Sequence, residues 1–162
     1  MRSSRAAPAD VDVYWARCAW SGSTAVGVDQ YDRAHAAIAP PAEQEVTLTS
    51  GEEGRGSPDD LNPEQLLVMA ASSCQLLWFL YLAARSRVDV VEYVDEAEGV
   101  MPPDDKPVRI TEITLRPRVV LRPGPSEERL QHLTELAHRQ CYIANSLKSD
   151  VRVEPAFEFL DG

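Results

Sequence analysis

The stretch NPEQLLVMAASSCQLLWFLYLAARS, from Asn62 to Ser86, reads as one long helix. Asn62 suits the cap, Pro63 the first helical position, and Glu64 the positive end of the helix dipole. No charged residue falls between Leu66 and Ala84. Apolar side chains occupy nearly every face, so the helix is either the buried axis of a domain or a membrane span. At its middle lies the run Ser72-Ser73-Cys74-Gln75. That run would be costly at a bilayer centre but useful in a buried active site, which favours the buried axis and no membrane.

Cys74 admits two readings. Free cysteine is a small hydrophobe and one of the most buried residue types. It is also a nucleophile when ionised, and an unperturbed thiol is mostly protonated at neutral pH. Cys74 lies about three turns into the helix, whereas the dipole acts only over the first turn. A nucleophilic Cys74 therefore needs a cation from elsewhere in the chain. The residues alone leave both readings open.

The length of 162 residues is enough for one domain with a sizeable core. A formal net charge of −10, with no basic stripe, argues against a nucleic-acid partner. Three widely spaced cysteines do not form a secreted disulfide scaffold, and the N-terminus lacks the apolar core of a secretory signal. The expectation is a cytoplasmic protein.

Residues 1–10 read as a flexible tail, followed by a single domain over residues 11–162. Strands are expected at Val11 to Trp20, carrying Cys18, at Val26 to Ile38, and at Val46 to Thr49. Period-two spacing puts Tyr31, Arg33 and His35 on one face of the second strand. A polar loop, Gly51 to Asp60, contains Arg55 and leads into the long helix. Beyond the helix, strands are expected at Val88 to Val100, Ile110 to Leu121 and Val151 to Phe159, with Pro117 marking an edge or a bulge. Ser126 caps a second helix whose apolar stripe is Leu130, Leu133, Ala137, Cys141 and Ala144. The order of elements gives an α+β fold, with antiparallel sheets wrapped on paired helices.

Two packed helices can bring Cys74 and Cys141 together, and two unrelated core cysteines remain the alternative. His138-x-x-Cys141 lacks the further ligands of a zinc site, and no nucleotide-binding motif is present. His35, His132 and His138 read as surface or supporting residues, and no base for a hydrolytic Cys74 is identifiable.

Several motifs together resemble the osmotically inducible protein C and organic hydroperoxide resistance (OsmC/Ohr) family. Asn62-Pro63-Glu64-Gln65-Leu66, with a cysteine ten positions after the glutamate, is similar to its first signature. Cys141-Tyr142-Ile143-Ala144-Asn145-Ser146 is similar to the second. Trp20, Tyr31-x-Arg33-x-His35, Leu77-Trp78-Phe79-Leu80 and Asp95 to Met101 resemble the OsmC-like branch. The resemblance runs from Trp20 to Pro155.

It implies an intertwined homodimer with two long central helices per subunit, enclosed by antiparallel sheets. It also implies a thiol-dependent peroxidase that reduces organic hydroperoxides or hydrogen peroxide in oxidative-stress defence. Such an enzyme needs no metal or organic cofactor, and a dithiol, lipoyl-type in the hydroperoxide-resistance branch, reduces it again. Carried over by position, Cys74 is the peroxidatic cysteine, Cys141 the resolving one and Glu64 the carboxylate. Arg33 is the arginine, with Arg55 in reserve. Gln75 and Tyr81 depart from the branch, whose members often carry His there, and the departures bear on substrate preference. The competing reading is a non-enzymatic redox-sensing or small-molecule-binding dimer of the same fold.

Overall fold

A computed structural model describes residues 11–160, so the tail expected over residues 1–10 lies outside the described part. The chain divides into two compact units, Met1–Pro63 and Glu64–Gly162.

The first unit holds an antiparallel sheet of β1 (Arg17–Ala19), β2 (His35–Ile38) and β3 (Glu45–Leu48), in that order. The third strand lies where the sequence places it, but the first two are much shorter than expected. Local hydrogen bonds take the backbone that a longer second strand would need. Ser23 Oγ accepts from the Ala25 N–H at 3.2 Å and opens a 3-10 turn over Thr24–Val26. Gly27 follows at φ +95°, a conformation that strongly favours glycine. Asp32 Oδ1 then accepts from the Ala34 N–H at 2.9 Å. Tyr31 and Arg33 therefore sit in a loop before β2, and only His35 is on the strand.

The loop after β3 is closed by the Thr49 N–H donating to Leu61 O at 2.9 Å. Inside it, Gly56 backs directly onto Ser50, where an added Cβ would lie 1.6 Å from the Ser50 carbonyl oxygen. That neighbour is backbone and cannot swing away.

The second unit is built on α1 (Pro63–Arg85), α2 (Glu127–Gln140) and the short α3 (Tyr142–Ser146). Ser126 caps α2 as expected, its Oγ accepting from the Arg129 N–H. Each of the three expected strands instead breaks midway and changes sheet. The segment from Val88 to Val100 becomes β4 (Val90–Asp95) and β5 (Glu98–Val100). The next becomes β6 (Glu112–Leu115) and β7 (Pro117–Leu121), and the last β8 (Asp150–Val153) and β9 (Ala156–Phe159). The first halves of the last two join β5 in the order β5-β6-β8, and their second halves join β4 in the order β4-β7-β9. β6–β8 and β7–β9 are parallel pairs, so these two sheets are mixed where antiparallel ones were expected. Pro117 marks neither an edge nor a bulge. It is the buried first residue of a central strand, a position that spares it a ladder donor.

One polar node ties the breaks together. Asp95 Oδ1 accepts from the Arg116 N–H at 2.7 Å, and Asp95 Oδ2 accepts from Ser72 Oγ on α1 at 2.5 Å. The Arg116 guanidinium reaches Glu98 at 3.0 Å and Glu154 at 3.5 Å, one acid beside each of the other two breaks.

α1 buries a single stripe, Ala71, Gln75, Phe79 and Ala83, at i+4 spacing. Phe79 and Ala83 pack with Val119, Leu121, Leu130, Leu133 and Ala137, whereas Ala71 packs with Ile113, Leu115 and Val151. Gln75 lies on the stripe between these clusters and donates from Nε2 to Thr134 O at 3.3 Å. The sequence reading of a helix buried on all sides is therefore corrected. Leu77 is 62% exposed and Met69 52%. By length and hydropathy alone α1 would also pass as a membrane span, yet its polar side chains bond inward to α2 and to Asp95.

Gly56→Ala should destabilise the first unit by about 2 kcal/mol or more, the scale of other backbone clashes. Thermal unfolding monitored at Trp20, against the parent protein, checks this.

Candidate active site

Cys74 lies on α1 next to the buried stripe and is partly exposed. It opens onto an apolar cavity of about 540 Å³ lined by Leu77, Trp78, Tyr81, Tyr142 and Ile143 among others. Three of those residues form an aromatic wall. Trp78 meets Tyr81 edge-on at 5.6 Å and Tyr142 at 5.4 Å. Cys74, Trp78 and Tyr81 follow at i, i+4 and i+7 and so share one helical face. That spacing was legible in the sequence, whereas the closure of the wall by Tyr142 was not.

Cys141 ends α2 and begins α3, and only 1% of its surface is exposed. The chain bends there: the Cys141 N–H donates to His138 O, and Asn145 Nδ2 donates to Cys141 O at 2.9 Å and Arg139 O at 3.0 Å. The expected stripe is thus interrupted at Cys141 itself. The bend turns the side chain inward beside Cys74, close enough for the two sulfurs to influence each other, and both remain free thiols. Burial pushes the Cys141 thiol up to about 11, and the neighbouring Cys74 pushes in the same direction. The Ala144 N–H, 3.4 Å from Cys141 Sγ, and the Ile143 N–H oppose the shift without reversing it. At neutral pH Cys141 keeps its proton, while Cys74 is the sulfur facing the cavity.

Glu64 occupies the first turn of α1, ten positions before Cys74 on an unbroken helix. Those positions span about 15 Å along the axis. The two arginines belong to the first unit. Arg55 is in the left-handed region at φ +65° and pairs with Asp29 at 2.8 Å, in an exposed ion pair. Arg33 is partly buried. Its Nη1 donates to Tyr31 O at 2.7 Å and its Nη2 to Val28 O at 2.6 Å, with the guanidinium 4.2 Å from the Tyr31 ring centroid. The strand face expected for Tyr31, Arg33 and His35 does not form. The three residues line one cavity of about 320 Å³ nonetheless, together with Trp20, Thr24 and Ser50. Cys18 is exposed on β1.

Residues 55–156 match the family of OsmC-like proteins. The chain belongs to that family. A structure of an OsmC-like protein of unknown function from Vibrio cholerae O1 biovar eltor is 29% identical, with a TM-score of 0.82 over 90% of this chain and 100% of that one. An organic hydroperoxide resistance protein from Elizabethkingia anophelis shares the fold at 17% identity and a TM-score of 0.70, covering 94% and 100% of the two chains. OhrB of Bacillus subtilis shares it at 14% identity and a TM-score of 0.57, covering 91% and 98%. No curated protein matches the sequence.

For this OsmC-like chain the raised Cys141 carries a consequence for stability. The folded state holds the thiol proton to about pH 11, against an ordinary value of 9.0. The contribution is therefore fully present below about pH 9 and is lost as pH rises towards 11. Tyr93, raised by burial and then by Asp95, acts in the same sense from a higher starting value. Urea unfolding across this range should show a shallower decline for Cys141→Ser than for the parent. Equal slopes would contradict the assignment, because Tyr93 is common to both proteins.

Proposed function

We propose that the chain is a thiol-dependent peroxidase acting on organic hydroperoxides in a reducing cytoplasm. One observation carries the reading: a partly exposed Cys74 faces an apolar cavity, and a buried, protonated Cys141 is its neighbour. The first step needs an accessible sulfur, and the second needs a thiol shielded from the oxidant until the first has reacted.

The Cys74 thiolate attacks the distal peroxide oxygen. An S–O bond forms, the O–O bond breaks, and the alkoxide leaves as alcohol after taking a proton. Cys141 then displaces water from the Cys74 sulfenic acid to form a disulfide, and a dithiol restores both thiols. Arg33 is carried over by position from the family signature as the cation that favours the thiolate and holds the peroxide. Its anchored fork supports this role, whereas Arg55 is already paired with Asp29. The aromatic lining supports substrates with an apolar body, and its volume is in the range of small-molecule sites.

Cys74→Ser should abolish peroxide consumption. Cys141→Ser should turn over once and stop as a sulfenic acid that mass spectrometry detects, and cumene hydroperoxide should react faster than hydrogen peroxide. An unmodified Cys74 in peroxide-treated Cys141→Ser protein rules the mechanism out. Oxidation of both thiols without dithiol-driven turnover favours a redox sensor instead.

The apolar side chains that α1 leaves uncovered, Met69, Leu77, Leu80 and Tyr81, support a homodimer packed on this helix. Glu64, about 15 Å from Cys74 along its own helix, then serves the Cys74 of the partner across antiparallel helices. A mixed dimer of Cys74→Ser and Glu64→Ala chains should recover about half of the parental activity, because one site is intact and the other doubly damaged. Activity no better than that of either parent variant would place each site within one chain.

A further inference from the structure

The face of α1 that carries Cys74 continues beyond the cavity. Trp78, Tyr81 and Arg85 follow Cys74 at i+4, i+7 and i+11, so one helical face runs from a sulfur over two aromatic rings to a cation. Arg85 turns back along that face. Its Nη1 donates to Tyr81 Oη at 3.3 Å, and its guanidinium carbon is 5.6 Å from the centroid of the Tyr81 ring. Tyr81 in turn meets Trp78 edge-on and lines the cavity onto which Cys74 opens. The helix dipole by itself favours an arginine in the last turn of α1. It does not account for the absence of an acid beside it. In a chain of net charge −10, Arg116, Arg118, Arg122 and Arg152 each hold a carboxylate, whereas none among the described residues pairs with Arg85.

A guanidinium has five N–H donors, of which one goes to Tyr81 here, and the Tyr81 O–H still has its own hydrogen to give. A group with two acceptor oxygens and a single negative charge matches that end, and a carboxylate is such a group. Cys74 and Arg85 are eleven positions apart, about 16 Å along the axis, and the cavity between them is mainly apolar. A ligand that uses both ends therefore needs a long hydrocarbon chain. Met69 and Leu80 lie on a different face of the helix, so a second copy packed there leaves Arg85 free. We propose that Arg85, together with the Tyr81 hydroxyl, binds the carboxylate of a long-chain fatty acid whose chain lies along Trp78 towards Cys74. Under the peroxidase reading above, on which this consequence alone rests, the substrate is a long-chain hydroperoxide with a free carboxylate at the end away from Cys74.

Binding is tested on the full chain carrying Cys74→Ser, so that no turnover is needed. Isothermal titration calorimetry with dodecanoate should show a complex that adding Arg85→Gln weakens about tenfold, the scale of a hydrogen bond to a charged group. Dodecanol has the chain without the charge. It should bind more weakly than dodecanoate and should not distinguish the two proteins. Arg85→Lys keeps the charge but not the fork, and should fall between them for dodecanoate. No binding of dodecanoate, as when a second copy fills this face, would overturn the proposal. Equal dodecanoate affinity with and without Arg85, or an equal loss for dodecanoate and dodecanol, would do the same. With Cys74 restored, linoleic acid hydroperoxide should have a lower KM than its methyl ester, and Arg85→Gln should remove the difference. Equal KM values for acid and ester in the parent would overturn the substrate assignment. A protein that binds dodecanoate through Arg85 but consumes no hydroperoxide would overturn the peroxidase reading and leave the carboxylate site standing, which separates the two failures.

Discussion

α1 carries more apolar surface than its own unit covers, and most of the architecture answers to that excess. Between Leu66 and Ala84 the helix has no charge to turn towards water, yet only the stripe Ala71, Gln75, Phe79 and Ala83 is buried. Each fully buried aliphatic or aromatic side chain contributes about 1.5–3 kcal/mol, so the exposed Leu77, Leu80 and Met69 are a standing cost in an isolated chain. The proposed dimer follows from this imbalance, and the same imbalance bears on the proposed reactive site. Cys74 lies on the flank between the covered stripe and the uncovered face, where a sulfur is reachable without being fully solvated.

The broken strands are the second consequence. One flat sheet of three long strands could not follow a helix of this length, because sheets twist. The strands here change sheet at a common level, so that one sheet supports Ala71 and the other Phe79 and Ala83. The Asp95–Arg116 node fixes that level and ties it to Ser72, two residues from Cys74. Gln75 marks the same seam inside the core. Its Oε1 is buried without a partner among the described residues, which is a cost that an apolar residue there would not incur.

The two thiols show how packing divides labour between chemically identical groups. Cys141 is withdrawn at the bend between α2 and α3 and holds its proton, while Cys74 faces the cavity. In the first unit, Arg33 and His35 are oriented by backbone carbonyls and not by carboxylates, so the guanidinium charge is oriented without being neutralised.

The sequence by itself determined where the two longer helices begin and the motifs around the two helix cysteines, but not the break of the second helix at Cys141. The Asn62-Pro63-Glu64 start, the Ser126 cap and the uncharged run to Ala84 are local signals, and each acts within a few residues of where it is written. The motifs around Cys74 and Cys141 were enough to identify the family. The strand breaks, the parallel pairs and the shortened β1 and β2 were not legible. Alternation from Val88 to Val100 looks the same whether the chain stays in one sheet or crosses to another, because the choice depends on which distant strand supplies hydrogen bonds. Tyr31, Arg33 and His35 came together as expected but for a different reason. Asp32, Gly27 and the carbonyl oxygens of Val28 and Tyr31 fold them into a loop, where period-two spacing has no meaning. Only the tertiary structure decided that Cys141 is buried behind Cys74, since that order depends on how α2 packs on α1, a relation between residues 67 positions apart.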